Sequence, residues 1–511
     1  MRSLNVTFIL LLKRCFISHD EKKNNFRIIL AREKLKEYCF VLFLIIGNMK
    51  KKICIIGAGI GGLSAGVYLS NNGFDVTVFE KENIAGGRAL SLNGDELDIE
   101  EYRRILSKFN MAIAFSHPSL EDIFNKKMLK GYRIDLGFHS IEGGTLSDVG
   151  RVVLEAGSNP KMIGSKLGLI TDNGYTFPLV TLKDKISFLP QILRLILSSE
   201  STMKKLDNVS IADTIKKYGK GKMKLILELL PRVTTTVNDL SRVSTGESFR
   251  ASQSNLKRGS TPVGYPIGGL GTINRILMNK IVKNKSKVVL GSRVEKIFIE
   301  NSKASGVQVN GERVNFDVIV SDILVQNLFD IVDEKHFPKE YVTYLKSLEG
   351  TGSLCAYYSL KKIPQDLLGK SFLFIERYTG LTGDDVVGMI EFVTSVPESK
   401  LAPPGGFLVQ SYIICTPNEA RSKEKLMLLR DILDKNLKRL IPDYQDYLNW
   451  VLYPTIWHLD GVAKTIDNDK PDIKTPVDNL FLIGDCVKAP GIGVNCAVKS
   501  AQILSNILLN Q

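Results

Sequence analysis

Seven cysteines are scattered along the 511-residue chain, at positions 15, 39, 54, 355, 415, 486 and 496, and none forms a C-x-x-C pair. That spacing excludes a dithiol redox motif and a zinc-ribbon ligand set. Cys54 lies in an apolar run and Cys486 beside a glycine-rich segment, so packing as small hydrophobes suits them better than disulfides, and a reducing, cytoplasmic compartment is expected. Five dispersed histidines give no metal-ligand constellation. Neither an internal repeat nor a low-complexity block is present. Long apolar runs are missing too: those at 8–12 and 39–46 are too short to cross a bilayer. Lys and Arg outnumber Asp and Glu by 68 to 54. The surplus is dispersed, with no basic stripe interleaved with aromatics, and this argues against nucleic acid as a partner. An anionic membrane surface or an acidic partner stays compatible with it.

Residues 1–48 carry five of the fourteen net positive charges. Charged residues follow the first apolar run and no small-residue cleavage site is clear, so a signal peptide fits poorly. The segment is expected to lie outside the fold, as an overextended reading frame or a poorly ordered tail, with a membrane-associating arm as the rival.

What the chain does have begins at Lys51, with KKICIIGAGIGGLSAGVYLSNNGFDVTVFE. Ile53, Cys54, Ile55 and Ile56 form a continuous apolar run, as in a strand buried on both faces of a parallel sheet. Gly57, Gly59 and Gly62 then fit G-x-G-x-x-G, with Ile60 and Gly61 between them. In that pattern the first glycine makes the tight turn, the second admits a pyrophosphate, and the third lets the next helix pack on the strand. Residues 63–70 read as that helix, whose first amides face the phosphates. FDVTVF alternates as a second strand, and Glu80, next to Lys81, arrives where a carboxylate takes a ribose hydroxyl pair. Strand, turn, helix, strand and acid together indicate a dinucleotide site.

ENIAGGRA follows at 82–89. After Gly86 and Gly87, the Arg88 guanidinium can lie over a pyrophosphate and donate to both charged groups. NAD sites do not usually carry this segment. Glu80 with Gly86-Gly87-Arg88 resembles the FAD-binding segment of the flavin amine oxidase and phytoene desaturase superfamily. The C-terminal stretch VDNLFLIGDCVKAPGIGVNCAVKSAQILSNIL is similar to that family's closing motif. The resemblance implies that Gly484 and Asp485 meet the ribityl chain. Gly491, Ile492 and Gly493 would then open a helix whose positive end favours charge on the reduced flavin. Between these motifs, alternating runs turn at Asn310-Gly311. They resemble the strand whose backbone, near Val294, meets adenine. In this family the first strand lies close to the N-terminus, which makes Met49 a natural start.

The resemblance implies a doubly wound, Rossmann-like FAD domain, discontinuous in sequence, with an inserted α+β substrate domain. The FAD domain takes 49–150, 263–330 and 451–511. A mostly helical segment at 151–262 and a sheet with a helix at 331–450 form the substrate domain. The cofactor would be FAD, and the activity an oxidoreductase of the phytoene desaturase type, including its isomerase and saturase relatives. Such an enzyme moves a hydride between a hydrophobic isoprenoid or polyene and flavin N5. Alternatives are an amine or porphyrinogen oxidase, with Tyr453 and Trp457 as candidate aromatic walls, and a non-catalytic prenyl-lipid escort of the same fold. The family likeness places LGFHS near the flavin ring. There His139 is the candidate catalytic residue, able to move a proton or stabilise charge; a histidine that merely shapes the loop is the alternative. The apolar helix around 186–197 is either core or a patch that dips into lipid. The first gives a cytoplasmic enzyme and the second a peripheral membrane one.

Overall fold

A strand with neighbours on both edges and helices on both faces has no side left for a polar residue. The run after Lys52 is such a strand. In the computed structural model, which describes residues 50–258 and 261–510, β1 (Lys52–Ile56) lies at the centre of a five-stranded parallel sheet. It pairs with β2 (Asp75–Phe79) on one edge and with Val318–Ser321 on the other. Lys287–Val289 and Leu480–Leu482 close the two ends. Helix α1 (Ile60–Asn71) crosses one face, buried along all but its last residue. A methyl group at Gly66 would come within 2.5 Å of Ile281 Cδ1, so this glycine sets how closely α1 meets the helix Leu270–Lys283. The expectations for residues 1–48 concern a segment outside the described residues.

Beside this sheet, Val294–Glu300, Lys303–Val309 and Glu312–Asn315 form an antiparallel meander. Asn310 and Gly311 sit at φ of 52° and 79°, the pair of positive values that a two-residue hairpin turn requires. A second, eight-stranded sheet stands apart. Its order is Met111–His117, Leu448–Ile456, Gly352–Leu360, Phe407–Cys415, Val386–Glu391, Ser371–Glu376, Leu167–Thr171 and Gly174–Thr176. Every residue of Gly352–Leu360 is buried. One face of the strand packs under the helix Lys423–Leu440, and the other faces a core that includes Tyr357, Phe138 and Tyr412.

Two stretches hold features that the sequence does not show. Within the mostly helical residues 151–262, three strands, Met162–Ser165, Leu167–Thr171 and Gly174–Thr176, lie between the helix Asp148–Glu155 and the one that begins at Leu182. Pairing with neighbouring strands of the two sheets holds them extended: Met162–Ser165 and Gly174–Thr176 lie at sheet edges, and Leu167–Thr171 pairs on both sides. The apolar helix near 186–197 is two helices, Leu182–Ser187 and Leu189–Leu197, and neither contains a buried residue. Pro190, in the first turn of the second, cannot continue the helix before it. Leu182 is 74% exposed and Leu197 81%, so this element contributes no core. No helix among the described residues is long and apolar enough to cross a membrane. Cys54, Cys355, Cys415, Cys486 and Cys496 are buried and unpaired.

Candidate flavin site

The glycine loop forms at the carboxyl end of β1, and local sterics explain its composition. Gly57 has φ of 103°, and its N–H donates to Phe79 O at 2.8 Å, tying the loop to the end of β2. A Cβ on Gly62 would stand 2.0 Å from Gly57 O, so α1 can begin here only with glycine. The Gly62 amide donates to Asp322 Oδ2 at 2.7 Å. Glu80 accepts the Ala58 amide on Oε2 at 2.8 Å and the Glu82 amide on Oε1 at 3.0 Å, so the acid that closes β2 also braces the loop.

Arg88 joins the first motif to the last. Gly86 and Gly87, at φ of 134° and 57°, let the chain pass close over the loop: Gly86 donates to Ala58 O at 2.8 Å, and a Cβ on Gly87 would lie 3.3 Å from Gly59 Cα. The Arg88 guanidinium then donates to Asp485 Oδ1 at 2.6 Å and to the His458 and Leu459 carbonyls at 2.9 and 3.2 Å. Asp485 also accepts the Gly461 amide at 2.9 Å, and Lys470 donates to its backbone carbonyl. Burial alone would raise the Asp485 carboxyl, but Arg88 and Lys470 outweigh it and hold the group down to about 2. Burial opposes the charge on Arg88, and Asp485 more than compensates, so the guanidinium is held above its ordinary range.

These groups line one cavity of ≈ 720 Å³. Glu80, Lys81, Arg293 and Val294 stand at one end. Gly57, Gly59, Ile60, Gly61, Gly87, Arg88, Asp322, Gly484, Asp485, Ile492 and Gly493 line its middle, with the first turn of the helix Gly493–Leu509 opening onto it. The far end is apolar, made by Phe138, Leu167, Leu230, Val233, Met389 and Tyr412. Two of the site residues named from sequence do not reach the cavity wall. Gly62 sits behind Asp322, and Gly491, at φ of 103°, turns the chain and accepts a bond from Lys464 on its carbonyl.

His139 lies on the wall, its Nε2 at 2.9 Å from Arg88 O and 2.7 Å from Leu136 O. A ring nitrogen facing two carbonyls carries the hydrogen, which leaves Nδ1 alone for proton transfer. Burial lowers the pKa of the ring, more than the nearby Asp135 raises it. The candidate aromatic walls lie elsewhere. Tyr453 donates to Asp434 at 2.6 Å in the core under the Lys423–Leu440 helix, and Trp457 is covered by the Arg421 guanidinium. The aromatic pair on the cavity is Phe138 and Tyr412, stacked with centroids 4.3 Å apart. Sequence reasoning missed Tyr412, Asp322, Asp460 and Lys470. Of these, Asp322 could have been found, because ligands in open α/β sheets bind at the carboxyl ends of the strands and Asp322 directly follows one.

The residues fit an extended dinucleotide. Loop glycines leave room for phosphate, the acid at the end of β2 lines the cavity where a ribose would lie, and an ion pair stands beside the second helix N-terminus. Along the cavity, His458 Nδ1 and Asp460 Oδ1 are buried without a partner among the described residues. This fold and site define a flavoprotein that binds FAD. The chain belongs to the flavin containing amine oxidoreductase family, whose profile matches residues 60–509. It is 24% identical over 510 residues to a 1-hydroxycarotenoid 3,4-desaturase from Flavobacterium sp. (strain P99-3), covering 90% of this chain and 99% of that protein. Among solved structures it resembles an oxidoreductase from Methanosarcina mazei, at TM-score 0.67 and 20% identity, covering 89% of this chain and 100% of that one. It also resembles a putrescine oxidase bound to putrescine, at TM-score 0.60 and 14% identity, covering 91% and 100%. The protein is an FAD-dependent oxidoreductase.

Proposed function

We propose that this oxidoreductase is of the phytoene desaturase type and acts on a long apolar isoprenoid or polyene. The observation that carries the reading is the cavity's far end, where apolar side chains meet the stacked Phe138–Tyr412 pair. When bound, FAD supplies a hydride acceptor at N5. The protein's part is to hold the substrate's C–H bond against it and to exclude water. The likeness to a carotenoid desaturase over most of both chains supports the substrate class.

The exposed helices suit a route for such a substrate. Leu182, Ile186, Leu189, Leu193 and Leu197 are all exposed. The second of these helices packs on the helix Thr245–Arg258, where Gln253 donates to the Leu195 and Ser198 carbonyls. Leu256, on that same helix, is exposed and also lines the cavity. We read this face as a peripheral membrane contact beside the cavity mouth, with the enzyme on the cytoplasmic surface and its substrate drawn from lipid. His139 acts there as a positioning residue, holding the Phe138–Ser140 turn to the Arg88 backbone.

The putrescine oxidase likeness favours an amine as the second reading. Anaerobic mixing of the holoenzyme with polyenes in detergent, with diamines and with a porphyrinogen decides between them. The proposal expects bleaching of the flavin absorbance by a polyene alone.

A further inference from the structure

Asp322 occupies the place that phosphates need. It follows the strand Val318–Ser321, next to β1, and its Oδ2 accepts the Gly62 amide at 2.7 Å. A Cβ on Gly59, Gly61 or Gly484 would meet its carboxyl oxygens at 2.8, 2.4 and 3.0 Å. The carboxyl therefore fills the concavity that these glycines leave open. First-turn amides of such a helix are its anion-binding groups, and here one already serves an acid of the same chain.

The charged groups facing Asp322 come from several elements. Glu80 ends β2, Asp485 follows Leu480–Leu482, and Arg88 reaches in from the loop after β2. Asp460 and Lys470 lie close to Asp485: Lys470 lowers the Asp485 carboxyl, and Asp485 raises that of Asp460. Burial is the largest influence on Asp322 and raises its pKa. The Gly62 amide and Arg88 lower it, Asp485 and Glu80 raise it, and the balance lies at about 8. An added pyrophosphate, doubly negative, can only push the group further up.

We propose that Asp322 binds the dinucleotide as a neutral acid, yielding the Gly62 amide to the pyrophosphate and donating its own O–H there. The inference rests on the FAD assignment of this loop. Its consequence is a proton linkage with a definite sign. Below about pH 8 Asp322 already holds its proton, so binding takes up none and affinity stays level. Above about pH 8 binding must take one up, and affinity falls about tenfold per pH unit. Asp485 takes no part in this window, since Arg88 and Lys470 hold its carboxyl well below it and ionised throughout.

The test is flavin release from the full-length holoprotein, read as free-flavin fluorescence on serial dilution from about pH 7 to 9.5. The wild type is expected to weaken about tenfold per pH unit above about pH 8. Asp322→Asn, neutral at every pH and still a donor, should match the wild type at pH 7 and show no such slope. Asp322→Ser, a second neutral variant, should also lack the slope and covers the case in which the asparagine variant does not fold. Parallel slopes in wild type and variants would overturn the proposal. So would a tenfold weaker asparagine variant at pH 7, because the charged carboxylate would then be the binding form. A protein that holds no flavin at any pH would instead remove the FAD assignment itself.

Discussion

Removing the Arg88 guanidinium should cost stability as well as flavin. In Arg88→Ala, Asp485 loses a 2.6 Å charge-assisted bond, and the His458 and Leu459 carbonyls lose their donor. The Asp485 side chain is 9% exposed and that of Arg88 26%. Removing one partner of a fully buried pair costs roughly 3–5 kcal/mol. Asp485 keeps the Gly461 amide and the nearby Lys470 charge, and Arg88 is partly open to water. The expected loss is therefore about 2–3 kcal/mol. Asp485→Asn should cost less, because Arg88 keeps both carbonyls. In the double variant the two changes should couple by about 1.5–3 kcal/mol. Denaturant unfolding of the four proteins, with and without excess FAD, measures this, and the flavin-dependent part of the stability should shrink in both single variants. Additivity within about 0.5 kcal/mol, with unchanged flavin affinity, would refute the claim that this pair joins the two motifs at the cofactor.

Burial pushes the Glu391 carboxyl up to about 7 from an ordinary 4.5. The unfolded chain ionises first, so stability falls as pH rises from 4.5 through 7, by roughly 2–4 kcal/mol in all. Glu391→Gln should then raise Tm relative to the wild type at about pH 8 and not at about pH 4.5; equal shifts at both would contradict this. His139→Gln should keep bound flavin and slow anaerobic flavin reduction less than about tenfold, with the same pH profile. A hundredfold loss with a flattened profile would make the imidazole catalytic. Paired changes Ile186→Asp and Leu197→Asp, both at exposed positions, should abolish co-sedimentation with anionic vesicles while leaving flavin content intact. Retained binding would move the membrane contact elsewhere.

The parts of the site that could be read in the sequence are those whose reason is local. Gly57, Gly59 and Gly62 answer to a turn and a helix start within six residues, and Glu80 to the end of the next strand. Asn310-Gly311 carries its turn geometry in its own backbone preferences. Arg88 and Asp485 were each visible in a motif, but that they meet is a property of the fold. Asp322 left no local signal of its partner, since its bond to Gly62 spans 260 residues. Tyr412 belongs to a strand, Phe407–Cys415, that is buried along all but its first residue, so nothing local marks the side chain that faces the cavity. The helices at 182–197 leave core and surface patch both open in the sequence for the opposite reason. Their leucines have the composition of a core, and only the tertiary structure shows that nothing covers them.

The central claim is that the apolar end of the cavity receives an isoprenoid or polyene at the flavin. Its most direct test is a single-turnover anaerobic reduction of the yellow holoprotein, followed at the flavin absorbance. A polyene carried in vesicles should bleach the flavin, and putrescine should not. Bleaching by the diamine, with no response to any polyene, would contradict the account.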